Sequence, residues 1–279
     1  MNIPIFKHPH FIINNWSATE PNENSTIMEI RHHLLKRDAS FEIVINSGSP
    51  LFVTSIQGDT ALSYLRDAYA IRKPFTSDDF DYLKQNIRQV GYQIKCTPFS
   101  LLISYNIQYL TTIEQERLVE QRINEIIELT RVSSKKNDFL KTKFIYDYIL
   151  SNVEYDYTYV NHSAYNALFD RKAVCEGCAA LLYRLLSKVS VPCRIITGKG
   201  LQEQHAWNIV KIGGRWYNLD VTWDLYCRWK DRTLINYKWF LKGEQTFMEH
   251  SRDTSYSGED FYALHPMSSE DYYSTLPKT

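Results

Sequence analysis

At 279 residues the chain is long enough for one large domain or two modest ones, and its 44% hydrophobic and 23% charged residues are ordinary globular proportions that exclude disorder and fibrous repeats. Lys+Arg and Asp+Glu cancel at 32 each, which removes the broad basic surface that phosphate-backbone binding needs and with it nucleic acid as an expected partner. Five cysteines, an odd number in a long chain, argue against a disulfide framework and for reduced thiols in a cytosol-like compartment.

Met1 to His8 lacks the basic start and long apolar stretch of a signal peptide, and no later run approaches the roughly 18 apolar residues of a spanning helix. A soluble, cytoplasmic chain is expected, with signal-independent export left open. The stretch to Glu23, punctuated by Pro4, Pro9 and Pro21, reads as irregular or edge structure. Met28 to Leu35 reads as a helix and Phe41 to Asn46 as a strand; Ala61 to Ile71 and Phe80 to Gln89 read as short helices, the second opened by Thr76 with Asp79. Val90 to Cys96 and Leu101 to Leu110 complete a small α+β unit spanning residues 1–110. Thr111 followed by Glu114 is a capping-box pattern, and Val119, Ile123, Ile126 and Thr130 recur at helical spacing, predicting a connecting helix within 111–135. After the polar break Arg131 to Asp138, Leu140, Phe144 and Tyr148, with Ile145 and Ile149 alongside, predict another helix ending near Asn152. It opens a second domain, 136–279.

The chemistry concentrates between Tyr165 and Asp224. Ala179, Leu182, Leu186 and Val189 form an apolar helical stripe, so Cys175 falls at or near a helix N-terminus. Unpaired N–H groups and the positive end of the helix dipole there favour thiolate over thiol. A buried cysteine packing as a small hydrophobe is the plainer alternative.

Gly213-Gly214 between two β-type runs predicts a two-residue hairpin with Ile212 paired to Arg215. In that register His205 faces Thr222 and Trp207 faces Asp220, and all four share one face, which makes His205 and Asp220 diagonal neighbours. A thiol on a helix tip and an imidazole oriented by a carboxylate are what acyl transfer through a covalent thioester requires. The same residues also fit a half-buried hairpin histidine beside a strand-end aspartate. Cys175 with Cys178 is, in addition, a Cys-x-x-Cys, but a zinc ribbon wants a second close pair, and Cys193 and Cys227 stand alone. Cys178 fits better as a packing residue, although a Cys175–Cys178 disulfide would silence the nucleophile under oxidation.

Ala173-Val174-Cys175-Glu176-Gly177, His205-Ala206-Trp207-Asn208-Ile209-Val210 and Trp216-Tyr217-Asn218-Leu219-Asp220-Val221-Thr222-Trp223-Asp224 resemble the three signature blocks of the transglutaminase-like superfamily, in its order, and most of all its bacterial branch. The segments Phe144–Asp156, Ser163–Leu168, Tyr237–Lys242 and Phe247–His250 also look familial, so the resemblance covers roughly 110–275. It implies a papain-like α+β core, a cysteine helix packed on an antiparallel sheet, with Cys175 as nucleophile, His205 as base and acid, and Asp220 as orienting partner. Tyr165, ten residues before Cys175, matches a family tyrosine and is a candidate to stabilise the oxyanion or wall the acyl pocket; a core aromatic is the alternative. Trp207 is a candidate to flank the substrate entrance. Cys178, where an aromatic is usual, and Leu225-Tyr226-Cys227 after Asp224 depart from the family pattern, so substrate preference does not carry over. Asp224 is assigned no chemistry, and the basic run Arg228, Lys230 and Arg232 reads as a solvated loop. The expectation is thiol-dependent acyl transfer on protein or peptide amide or carboxamide groups, as a transglutaminase, deamidase or cysteine protease. It needs no cofactor and no metal, since no calcium loop is present. The alternative is a non-catalytic scaffold that keeps the fold.

Overall fold

The computed structural model describes residues 5–7, 24–46, 60–71, 80–230 and 237–275; side chains of 5–7, 226–230 and 274–275 are outside the description. Apart from strand β1 (Ile5–Lys7), the reading of the first 23 residues lies outside it, as do the Thr76 and Asp79 cap and Arg232; Arg228 and Lys230 fall on the helix Val221–Lys230, not in the loop expected for the basic run. The described chain forms two compact units that divide at Ile113/Glu114.

The first unit is α+β. Helix α1 (Ser25–Lys36) starts where the Asn24 side chain accepts the Ile27 N–H at 2.9 Å, and it ends at Arg37, which adopts a left-handed φ of 58°. Ile27, Ile30 and Leu34 recur at three and four residues, so one stripe is buried. Strand β2 (Ser40–Asn46) alternates with Phe41 and Ile43 inward, and helix α2 (Thr60–Ala70) packs Leu62 and Leu65 into the same core. Helix α3 (Phe80–Gln85) is shorter than its sequence suggests. Ile87 already belongs to strand β3 (Ile87–Cys96), whose pairing with β4 (Ser100–Tyr109) buries Ile87 and Val90. Burial in the sheet outweighs the local helical pattern. The sheet is antiparallel in the order β1-β3-β4-β2.

In the second unit, α4 (Ile113–Thr130) buries Val119, Ile123 and Ile126, as the spacing predicts. The Thr111 hydroxyl donates to Asn86 at 2.8 Å, and the helix begins two residues later. Helix α5 (Asp138–Asn152) buries Ile145 and Ile149 as the sequence leads one to expect, but Thr142, Tyr146 and Leu150 complete its inward face and Leu140 is exposed. A two-stranded parallel pair, β5 (Glu154–Tyr155) and β6 (Lys172–Ala173), brackets α6 (Ala164–Phe169). Helix α7 (Cys175–Lys188) begins at Cys175 itself and is buried from Gly177 to Ser187, apolar around most of its circumference rather than along one stripe. Its one buried cation, Arg184, is met by Glu116 at 3.0 Å and Glu120 at 2.7 Å from α4.

Strands β7 (Cys193–Gly200), β8 (Glu203–Ile212) and β9 (Arg215–Leu219) follow, then helix α8 (Val221–Lys230), strand β10 (His250–Arg252) and helix α9 (Glu259–Leu264). The sheet is antiparallel in the order β10-β7-β8-β9. Gly213 and Gly214, with φ of 58° and 88°, form the hairpin turn, and Ile212 pairs with Arg215. The buried Asn208 amide ties the cysteine helix to the sheet, donating to Ala179 O at 3.1 Å and Arg194 O at 3.2 Å. A cysteine helix packed against an antiparallel sheet is the architecture expected from the sequence.

Candidate active site

Cys175 is the first residue of α7, where main-chain N–H groups lack helical partners and the dipole is positive. Its thiol is half-buried, unlike Cys178 three residues on, which is fully buried with its sulfur 3.7 Å from Ala173 O. Burial, reinforced by the charge at Cys175, pushes the Cys178 thiol well up and keeps it protonated. Cys178 is therefore a packing residue, and both sulfurs are free.

His205 and Asp220 meet. The imidazole Nε2 donates to Asp220 Oδ2 at 2.7 Å, with the His205 side chain 8% exposed and the carboxylate wholly buried. The route to this contact differs in part from the hairpin reading. Strand β9 stops at Leu219 and α8 begins at Val221, so Thr222 is helical and does not pair opposite His205. Asp220 sits at the strand-to-helix turn, where its Oδ1 accepts the Trp223 N–H at 3.1 Å in the manner of an N-cap. Its main chain is held too: its N–H donates to Trp239 O at 3.0 Å, and its carbonyl accepts the Tyr146 hydroxyl at 3.0 Å.

The electrostatics follow from this geometry. Burial disfavours the charged forms of both groups, but mutual attraction outweighs it. The Asp220 charge and hydrogen bond, together with hydrogen bonding to the Cys175 thiol, push the His205 imidazole up to about 10. The His205 charge, joined by His250, holds the Asp220 carboxyl well below the usual carboxylate range. With Nε2–H committed to the acid, it is Nδ1 that remains for the thiol.

The sequence reading assigned no role to His250. From β10, its Nε2 donates to the same Asp220 Oδ2 at 2.9 Å, and its side chain is 1% exposed. The ring stacks on Phe247 at 3.8 Å and lies 4.1 Å from Trp223, while its Nδ1 is buried with no hydrogen-bond partner. Burial lowers its pKa, so this second imidazole is neutral. Its strand pairing with Gly200 brings it to the site across 30 residues of chain from Asp220, a distance no local motif spans. His205, Asp220 and His250 also bring three metal-ligating atoms within 4.8 Å of one another. Such a nitrogen and oxygen set suits a zinc-type ion, although the ring nitrogens facing the acid already serve it as donors.

Trp207 is 1% exposed and packs with Ile196, Trp239 and Phe247. The sequence made it a candidate to flank the substrate entrance; it instead backs the site from the core, because strand alternation gives its face but not the layer covering it. Tyr165, half-buried on α6, stacks on Phe169 at 4.7 Å. Burial, followed by the charge at Cys175, pushes the Tyr155 phenol well above its ordinary value.

Gly200 leaves room for the rings of the candidate site: a Cβ there would lie 2.7 Å from Trp223 and 3.1 Å from His205. Gly200→Ala is expected to displace the His205 ring. Alkylation of Cys175 by iodoacetamide at pH 7 should slow by about ten- to a hundred-fold, the scale of an ångström misplacement, with unchanged circular dichroism.

Asp224 is buried, accepting the Tyr146 hydroxyl at 2.6 Å and the Trp239 N–H at 3.3 Å. Burial, aided by the Asp220 charge, outweighs these bonds and pushes its carboxyl up to about 7. Between the ordinary aspartate value of about 4 and about 7, the folded chain holds a proton that the unfolded chain has lost, so stability falls as pH rises through this window. Asp224→Asn should flatten that fall. Thermal midpoints at pH 5 and pH 7 will lie closer together in the variant than in the parent.

A thiol at a helix tip, facing an imidazole carried by an antiparallel sheet, places the second unit among papain-like folds. Residues 127–221 match the transglutaminase-like superfamily, and the chain carries a domain of that superfamily. It is 28% identical over 123 residues to the kyphoscoliosis peptidase of Mus musculus, covering 38% of this chain and 18% of that protein. To the Homo sapiens kyphoscoliosis peptidase it is 30% identical over 104 residues, covering 31% of this chain and 16% of that one. The chain thus spans less than a fifth of the length of these curated relatives. The crystal structure of a TGase superposes with a TM-score of 0.37 at 14% identity, covering 68% of this chain and 56% of that one.

Proposed function

We propose that the domain carries out thiol-dependent acyl transfer on amide or carboxamide groups of protein or peptide substrates, with Cys175 as nucleophile, His205 as base and acid, and Asp220 as its orienting partner. The observation that carries this is the 2.7 Å bond from His205 Nε2 to the buried Asp220 carboxylate, which leaves Nδ1 for the Cys175 thiol. His205, an imidazolium near pH 7 because its pKa is raised to about 10, holds the thiol proton on Nδ1 as sulfur adds to the carbonyl carbon. The Cys175 main-chain N–H at the helix tip is the natural donor to the oxyanion that forms. As the C–N bond breaks, the imidazolium returns its proton to the departing amine or ammonia, leaving a thioester. Water or an amine then attacks that thioester, His205 again removing the proton: water completes hydrolysis or deamidation, an amine completes a cross-link. Among the described residues no helix is long and apolar enough to cross a membrane.

Two measurements test this. Iodoacetamide should alkylate Cys175 near pH 7 faster than it does an unstructured peptide thiol. With a glutamine-rich acceptor protein and a labelled primary amine, mass spectrometry should show amine incorporation, deamidation or cleavage that Cys175→Ala abolishes. A thiol of ordinary reactivity with no product would return the domain to the scaffold reading.

A further inference from the structure

The segment from Tyr155 to His162 is bonded to the chain on both sides of Cys175. Tyr155 pairs with Ala173, the Asp156 N–H donates to Ala173 O at 3.1 Å, and the Val174 N–H donates to Asn161 O at 2.9 Å. Beyond the thiol, the Glu176 carboxylate meets His162 Nδ1, whose ring is also bonded through Nε2 to Tyr159 O at 3.0 Å. Gly177 makes this approach possible, since a Cβ there would lie 2.9 Å from Ser163 O.

Inside the loop, the buried Asp156 carboxylate fixes the conformation. It accepts the Thr158 N–H at 2.9 Å and hydroxyl at 2.6 Å on one oxygen, and the Val160 and Asn161 N–H groups at 3.1 and 3.0 Å on the other. Burial alone would raise this acid, but the bonds from Thr158, Val160 and Asn161 outweigh it and hold it at about 2, so the clamp persists at any ordinary pH. Tyr159, with a left-handed φ of 57°, takes the turn that these bonds impose.

What the clamped loop presents is apolar. Tyr157 is 42% exposed, Tyr159 64% and Val160 68%, with the Tyr155 ring edge-on to the other two tyrosines at 5.0 and 6.2 Å. A loop of large apolar side chains that is ordered by a buried carboxylate, yet left facing water, gains little from folding and is pre-arranged for a ligand. Because the loop is bonded to residues 173, 174 and 176, the ligand it meets is whatever approaches the thiol.

We propose that the 155–160 loop is a preformed docking ledge for an apolar, preferentially aromatic, side chain of the acyl-donor peptide close to its reacting carbonyl. This rests on Cys175 being the acyl-accepting thiol. Aromatic side chains are recognised edge-to-face by such rings, whereas charged ones find no ionic partner on these phenols and Val160.

The test uses the full chain and three alkylating probes: iodoacetamide, acetyl-Phe-Gly chloromethyl ketone and acetyl-Gly-Gly chloromethyl ketone. Second-order rates at Cys175 are read by mass spectrometry, each peptide rate being divided by the iodoacetamide rate of the same protein. The Phe probe should exceed the Gly probe by about tenfold, the effect of burying part of one phenyl ring. In the Tyr157→Ser/Tyr159→Ser variant, whose changes lie at exposed positions, that ratio should fall towards one. Equal rates for the two peptides in the parent, or a preference that survives the double substitution, would overturn the ledge. Iodoacetamide reactivity no better than that of a free peptide thiol would instead overturn the acyl-transfer reading, while the ratio between the peptides still reports on the ledge.

Discussion

Asp220→Asn lowers acyl-transfer turnover by about three to four orders of magnitude, the scale seen when an orienting carboxylate is neutralised in a nucleophile–imidazole–acid set. In the parent, Asp220 Oδ2 accepts from His205 Nε2 at 2.7 Å, so when the ring becomes neutral during turnover it keeps its proton there, and Nδ1 is the nitrogen that gives and takes the proton. An asparagine amide placed with its Nδ2 towards the ring donates where the acid accepted. Nε2 then becomes the acceptor, the proton moves to Nδ1, and the thiol faces a donor where it needs a base. Asn can still accept the Trp223 N–H through its Oδ1, so the cap on α8 survives, but its Nδ2 no longer accepts from His250, so a lower thermal midpoint accompanies the loss of turnover. Product formation by mass spectrometry, with the thermal midpoint measured alongside, separates the two. A variant that keeps turnover within tenfold of the parent would remove Asp220 from the proposed mechanism.

The pH dependence of the same variant has a definite sign. The folded His205 sits up at about 10, above its ordinary 6.5, so its contribution to stability is complete below about 6.5 and is lost as pH rises towards 10. Asp220 is the first of the groups that raise it. Asp220→Asn should therefore flatten the alkaline decline of the thermal midpoint as well as remove turnover.

The sequence carried the site where the chemistry is local. Cys175 at a helix tip could be read because the apolar residues after it recur at helical spacing, and the His205 to Asp220 contact because Gly213-Gly214 fixes the hairpin register. The details failed where tertiary burial overrode a local pattern. The hairpin pattern makes Asp220 a strand residue, but it follows the last residue of β9 and caps α8, and Thr222 turns into the helix. The stripe of Leu140, Phe144 and Tyr148 is periodic, yet α5 buries Tyr146 instead, because its hydroxyl reaches Asp224 and the Asp220 carbonyl. A polar tip at the end of a buried ring is what hydropathy patterns miss. Trp207 shares a strand face with His205 as alternation requires, but the aromatic layer of Trp239 and Phe247 that encloses it comes from later in the chain.

His250 shows the same limit, and its substitution is the second large effect expected. His250→Phe keeps an aromatic ring to stack on Phe247 and Trp223 but removes the N–H that Asp220 Oδ2 accepts at 2.9 Å. A buried carboxylate that loses one donor costs about 1–3 kcal/mol. At about 2–4 °C per kcal/mol for a domain of this size, the thermal midpoint falls measurably. The more telling consequence is on the acid side. His250 is one of the groups holding Asp220 below the usual carboxylate range, so without it the acid takes up a proton at higher pH. A protonated Asp220 no longer stabilises imidazolium at His205. The acid limb of the pH–rate profile should therefore move upward, with turnover falling on that limb and not at pH 7, where His205 keeps Asp220 ionised. His250→Gln, which restores an N–H donor without the ring, should return the acid limb while leaving the packing loss. If both variants lose stability and neither moves the acid limb, His250 is a packing ring, and the orientation of His205 depends on Asp220 without it.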